Sequence, residues 1–164
     1  MKHALITGGA GFIGLHLARH LLRQGWRVDL VDNFMRGRRD PDVAELLSHT
    51  GVILREGDLG DPAFRESLGR NYSEVFHLAA ILGVENVIDR PYDVLDANVR
   101  LTSGAIEIAR RQRGLARLLF ASTSEVYAGT LEHFQLPLPT PESTPLAVPP
   151  LKRPRTSYML SKLF

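Results

Sequence analysis

Tyr158 and Lys162 stand four residues apart, a spacing that places both on one face of a helix. A phenol is a poor base near neutrality, with an ordinary pKa of about 10. A neighbouring ammonium favours the phenolate, and a tyrosine so tuned can take a proton from an alcohol. Taken alone, the pair reads more simply as an exposed helix face that carries both residues by chance. At the other end of the chain, Lys2-His3-Ala4-Leu5-Ile6-Thr7-Gly8-Gly9-Ala10-Gly11-Phe12-Ile13-Gly14 runs from an apolar stretch through glycines into a helical pattern. Such a turn aims backbone N–H groups at whatever lies above the helix start, which is an anion site. The glycines fit a dinucleotide-binding pattern as Gly9, Gly11 and Gly14, or as Gly8, Gly11 and Gly14. Asp32 ends a second apolar run, Val28-Asp29-Leu30-Val31, and lies 21 positions after Gly11, where an acid should meet the adenosine ribose. An ordinary strand–turn–helix corner is the alternative, but strand, turn, helix and acid all agree with dinucleotide binding.

The elements that must position these groups alternate. Strands are expected at the N-terminus, at Trp26 to Asp32, Val52 to Glu56, Glu74 to Ala80 and Leu115 to Ala121. Between them helices are expected at about Phe12 to Gln24, Asp42 to His49, Pro62 to Gly69 and Pro91 to Arg113. Gly25 should close the first helix, and Asp61-Pro62 should open the third. In the first helix Ile13, Leu17 and Leu21 form one apolar row and Leu15, Ala18 and Leu22 another. His16 and His20 have a zinc-binding spacing, but with no third ligand they read as a solvated face. His77 reads as a core histidine without a nearby polar partner, and Ile81 to Arg90 as a loop. Asn98 falls near the buried stripe of the long helix; it is either structural or turned toward a cofactor, and buried-polar arguments do not separate the two.

Near-continuous apolar strands alternating with helices predict a doubly wound parallel sheet, a Rossmann fold with helices on both faces. Ligands then bind beyond the carboxyl ends of the strands, where Gly8, Asp32, Asp58, Ala80 and Thr123 fall. From Ala128 to Pro154 the chain reads as a loop, since seven of its ten prolines lie within 136–154. That loop is either a proline-rich ligand segment or an extended active-site loop, and the helix after it favours the second.

With 164 residues, 44% of them hydrophobic and 23% charged, one soluble domain is expected. The net charge of +2 does not suggest nucleic acid, and Arg36, Arg38 and Arg39 lack interleaved aromatics. Absence of cysteine rules out disulfides and a cysteine nucleophile. No metal site is expected. No membrane span or signal peptide is read, so a cytoplasmic protein is the expectation.

These motifs in this order resemble the extended short-chain dehydrogenase/reductase family, especially its nucleotide-sugar epimerases, dehydratases and decarboxylases. The resemblance covers Thr7 to Gly14, Val31-Asp32-Asn33, Gly57-Asp58-Leu59, His77-Leu78-Ala79-Ala80, Ser122-Thr123-Ser124-Glu125-Val126-Tyr127 and Tyr158-Met159-Leu160-Ser161-Lys162. It implies that Gly8, Gly11, Phe12, Ile13 and Gly14 meet the NAD pyrophosphate, Asp32 and Asn33 the ribose, and Asp58 and Leu59 the adenine. Leu78, Ala79, Ala80 and Asn98 would lie along the cofactor. Thr123 would hydrogen-bond the reacting hydroxyl and Tyr158 would be the base. Lys162 would polarise Tyr158 and hold the nicotinamide ribose. The implied reaction is transient oxidation at the sugar C4. Glu125 matches dehydratases and decarboxylases, whereas Ser124 replaces the aspartate of deoxythymidine-diphosphate-type dehydratases, and Ala128 replaces a usual glycine. Asp32 favours NAD over NADP.

The resemblance further implies a UDP-, GDP- or dTDP-linked sugar as partner and a homodimer formed through helices of the Rossmann domain. Residues 1–164 are expected to be one NAD-binding domain, with a loop over 128–154 and the catalytic helix starting over 155–164. The family's C-terminal substrate domain is expected to be absent, leaving the isolated chain with little activity. The alternative is a non-catalytic NAD-binding module used for sensing or scaffolding.

Overall fold

The structure is a computed structural model that describes residues 1–153 and 155–163. The expected ends of the loop at Pro154 and of the last helix at Phe164 lie outside the described residues. The chain divides into two compact units: Met1–Ala80 with Arg100–Ala121, and Ile81–Val99 with Ser122–Phe164.

The first unit holds a five-stranded sheet of β1 (His3–Thr7), β2 (Arg27–Asp32), β3 (Val52–Glu56), β4 (Glu74–His77) and β5 (Arg117–Phe120). Its order is β3-β2-β1-β4-β5 and every pairing is parallel. Alternation along the strands gives the sheet two buried faces. Ala4 and Ile6 of β1 join Leu15, Ala18 and Leu21 of α1 (Phe12–Arg23) and Val43 and Leu46 of α2 (Pro41–Leu47). Leu5 joins Leu68, Tyr72 and Val75 with Ala105 and Ile108 of the long helix α5 (Pro91–Arg110). The short helix α3 (Pro62–Ser67) starts as expected, Asp61 accepting a hydrogen bond from the Ala63 N–H at 2.9 Å. His16 and His20 are exposed, and Gly25 follows α1 at φ +77°.

Several expected boundaries move. Ile13 is 64% exposed, so the buried row of α1 is Gly14, Leu15, Ala18 and Leu21. β4 and β5 are shorter than their apolar runs, with Leu78–Ala80 already outside the ladder. α5 ends at Arg110; the Gln112 side chain leaves to accept from the Tyr72 N–H, and the Arg113 N–H donates to the Arg70 carbonyl.

In the second unit the expected loop 81–90 contains a helix, α4 (Val84–Asp89). Its six residues include neither glycine nor proline, with Gly83 at φ +117° before them. The expected loop over 128–154 begins with a helix, α6 (Ala128–His133), because the first proline of the region is Pro137. Thr130 ties α6 to the proline-rich stretch, donating to the Pro145 carbonyl at 2.7 Å and accepting from the Ala147 N–H at 3.0 Å. A 3-10 turn (Ser124–Tyr127) precedes α6, and α7 (Arg155–Ser161) follows the prolines. No described helix is long and apolar enough to cross a membrane. Among the described residues, no cluster of three histidines or carboxylates could hold a metal ion.

Candidate functional site

Parallel pairing sets the C-terminal ends of β1 to β4 along one edge of the first unit, where Asp32 ends β2 and Gly8, Asp58 and Leu78 follow β1, β3 and β4. Gly8 adopts φ +70°, and a Cβ there would lie 2.9 Å from the Ala79 nitrogen. A Cβ on Gly14 would fall 2.4 Å from the Gly8 carbonyl oxygen, so only glycine lets α1 start this close to the turn. Gly11 precedes α1 with no side chain capping its first turn, and Phe12 and Ile13 stand exposed there. That helix start keeps N–H groups for an external anion.

Asp32 is braced within this edge. One carboxylate oxygen accepts from the Ala10 N–H and the other from the Phe34 N–H, both at 2.9 Å. The fixed carboxylate retains lone pairs for a diol and repels a phosphate monoester. Asn33 donates to Asp58 at 3.4 Å, and Asp58 also accepts from the Gly60 N–H, so the ends of β2 and β3 share one polar corner. Leu59 is buried beside it. These residues fit a dinucleotide: a glycine cradle that a Cβ would fill, an open helix start and a braced acid.

His77 is a buried histidine, as expected, but it has a near polar partner: Nδ1 lies 2.7 Å from the Thr7 hydroxyl. That contact has no local signature, because the two residues are 70 apart and meet through β1–β4 register.

The second unit carries Asn98, Thr123, Glu125, Tyr158 and Lys162. Asn98 is 2% exposed; its oxygen accepts from the Ile81 N–H, and its NH2 donates to the Ile81 carbonyl and to Ser161. Both amide hydrogens are thus used inside the chain. Thr123 caps the 3-10 turn, accepting from the Glu125 N–H at 3.3 Å. Ser122 donates to the Lys162 carbonyl at 3.0 Å. α7 ends at Ser161, and Lys162 sits in a tighter turn after it, its N–H donating to the Met159 carbonyl.

The titration of the pair differs from the expectation. Burial first, and the Glu125 charge second, push the Tyr158 phenol above its ordinary value. Burial alone lowers Lys162. Removal from water disfavours the charged form of each, and the carboxylate beside the tyrosine opposes phenolate further. A residue outside the sequence expectations completes this group: Arg155, three positions before Tyr158, forms an ion pair with Glu125. Its spacing on α7 was the only available signal.

The glycine turn, the braced acid and the all-parallel sheet define a Rossmann-type α/β protein. A family profile described as the NAD dependent epimerase/dehydratase family matches residues 4–164. The chain belongs to that family. It is 40% identical over 126 residues to UDP-N-acetyl-alpha-D-glucosaminuronate decarboxylase of Bacillus cytotoxicus, covering 77% of this chain and 38% of that protein. It is 37% identical over 134 residues to UDP-glucuronic acid decarboxylase 1 of Danio rerio, covering 82% and 30%. The crystal structure of UDP-glucose 4-epimerase from Bifidobacterium longum with NAD+ and UDP superposes with a TM-score of 0.77 at 30% identity, over 99% of this chain and 46% of that one. The match therefore spans 30% to 46% of the length of these proteins.

Proposed function

We propose that the chain is the NAD-binding part of an enzyme that modifies a UDP-linked hexuronic acid through transient oxidation at the sugar C4. Residues 1–164 act as one Rossmann domain in this reading. The observation that carries it is the placement of Tyr158 on α7, Lys162 in the turn directly after it and Glu125 on the 3-10 turn, with the Glu125 charge acting on the Tyr158 phenol. The family membership supports NAD as the cofactor, and the two decarboxylase relatives support a sugar bearing a carboxylate.

Gly8, Gly11, Phe12, Ile13 and Gly14 would hold the pyrophosphate, Asp32 and Asn33 the ribose, Asp58 and Leu59 the adenine. Leu78, Ala79, Ala80 and Asn98 would line the cofactor. When bound, NAD supplies the acceptor for the hydride leaving the sugar carbon. Thr123 orients the reacting hydroxyl, and Tyr158 accepts its proton. Lys162 stabilises the phenolate and grips the nicotinamide ribose, while Glu125 serves the step that follows ketone formation. Deprotonating a tyrosine held above its ordinary value calls for a nearby cation, and in this reading Lys162 supplies it. A purely scaffolding module would have no use for this set.

The protein is taken as cytoplasmic and homodimeric; exposed Val84, Ile88 and Tyr92 on α4 and α5 support self-association. The test is turnover of UDP-glucuronic acid by the protein carrying this chain, followed by chromatography of the nucleotide sugars. NAD-dependent product formation that Tyr158→Phe abolishes supports the reading. Unchanged turnover in Tyr158→Phe contradicts it.

A further inference from the structure

Arg155 is 64% exposed, whereas its partner Glu125 is 27% exposed. A long, solvated side chain has many places to go, yet here it reaches across from α7 to the 3-10 turn and ends on one carboxylate. Arg155 and Tyr158 are three apart on α7 and share a face. Glu125 pairs with the Arg155 guanidinium, and its charge also acts on the Tyr158 phenol carried by the same helix. Other charged groups stand around α7. Lys162 follows it, and α4, which packs against it, bears Glu85 and Asp89, both exposed.

We infer that Arg155 is a positioning residue, which holds the Glu125 carboxylate on the 3-10 turn and offsets its charge toward Tyr158. The inference rests on the proposed role of Tyr158 as the base. A carboxylate left alone beside a half-buried phenol raises the cost of phenolate; paired with a guanidinium, it presents much less net charge. Arg155 thereby keeps Glu125 in the site without disabling the base. A lysine can supply the charge but not the planar fork, so it substitutes only in part.

The test follows the Tyr158 phenol by 13Cζ tyrosine NMR over alkaline pH in the cofactor-free chain, with Tyr158→Phe assigning the signal and Tyr72, in the other unit, as the control. Arg155→Gln shifts the Tyr158 titration upward by a few tenths of a pH unit, a modest effect because the guanidinium end of the pair lies in solvent. Glu125→Gln shifts it downward. Arg155→Gln added to Glu125→Gln produces no further change, and Arg155→Lys restores part of the wild-type position. An unmoved titration in Arg155→Gln, or the same upward shift with Glu125 already removed, overturns the inference. Because no cofactor or turnover enters this measurement, either outcome is independent of whether the C4-oxidation reading survives its own test.

Discussion

The Thr7 hydroxyl lies 2.7 Å from Nδ1 of His77, at the ends of two adjacent parallel strands. The same oxygen accepts from the Ala79 N–H at 3.3 Å, so its hydrogen is free to go to the imidazole. Gly8, next to Thr7, is the residue whose missing Cβ lets the turn approach Ala79. Thr7 thus fastens the glycine turn to the end of β4.

Thr7→Val keeps the shape but removes the hydroxyl, leaving buried polar groups short of partners. The expected cost is about 1–3 kcal/mol in urea unfolding. NAD affinity, read by calorimetry, should fall as the turn drifts from Ala79. Thr7→Ser should recover both. Equal stability of Thr7→Val and wild type would show that the contact contributes nothing.

Asp29 sits mid-strand in β2 at 2% exposure, holding hydrogen bonds from His3 at 2.8 Å, Tyr72 at 2.8 Å and Arg55 at 3.2 Å. Burial, followed by the Asp29 charge, pushes the Tyr72 phenol well above its ordinary 10.0. The native state therefore binds this proton more tightly than the unfolded chain. Its contribution to stability is complete below pH 10.0 and is lost as pH rises through that value toward the folded one. Tyr72→Phe should cost about 1–3 kcal/mol at neutral pH. It should also flatten the fall of stability above pH 10.0, measured by urea midpoints across that range. An unchanged alkaline slope would contradict the assignment.

That network also marks what sequence reading can reach. The glycine turn, Asp32 and Asp61-Pro62 were legible because their signals are local: spacing, a cap, a strand end. Asp29 was read as part of an apolar run, since its partners Tyr72, His3 and Arg55 lie 43, 26 and 26 residues away. α4 was missed because its run, Val84-Glu85-Asn86-Val87-Ile88-Asp89, buries only Val87 and so has little apolar periodicity. The order of motifs disclosed Tyr158 and Lys162, but the direction of their titration depends on burial and on Glu125, 33 positions before Tyr158. Arg155 became visible only when α7 met the 3-10 turn.

Lys162 is 5% exposed, and burial lowers its pKa, so the folded state disfavours the charged form. Its charge is a cost to folding at neutral pH, one that fades as pH rises toward 10.5. Lys162→Met keeps the length of the stem and should raise the thermal midpoint, by about 2–4 °C for each kcal/mol recovered. NAD affinity should fall in the same variant. A lower midpoint would mean that the ammonium contributes net stability instead.

The central claim, a dinucleotide site built on Asp32 and the glycine turn, is tested most directly by isothermal titration of the chain with NAD, NADP and ADP-ribose, in wild type and Asp32→Ala. The account predicts similar affinities for NAD and ADP-ribose and little binding of NADP. It also predicts that Asp32→Ala weakens NAD binding and narrows its advantage over NADP. Equal binding of NAD and NADP by wild type, or affinity unchanged in Asp32→Ala, would contradict it.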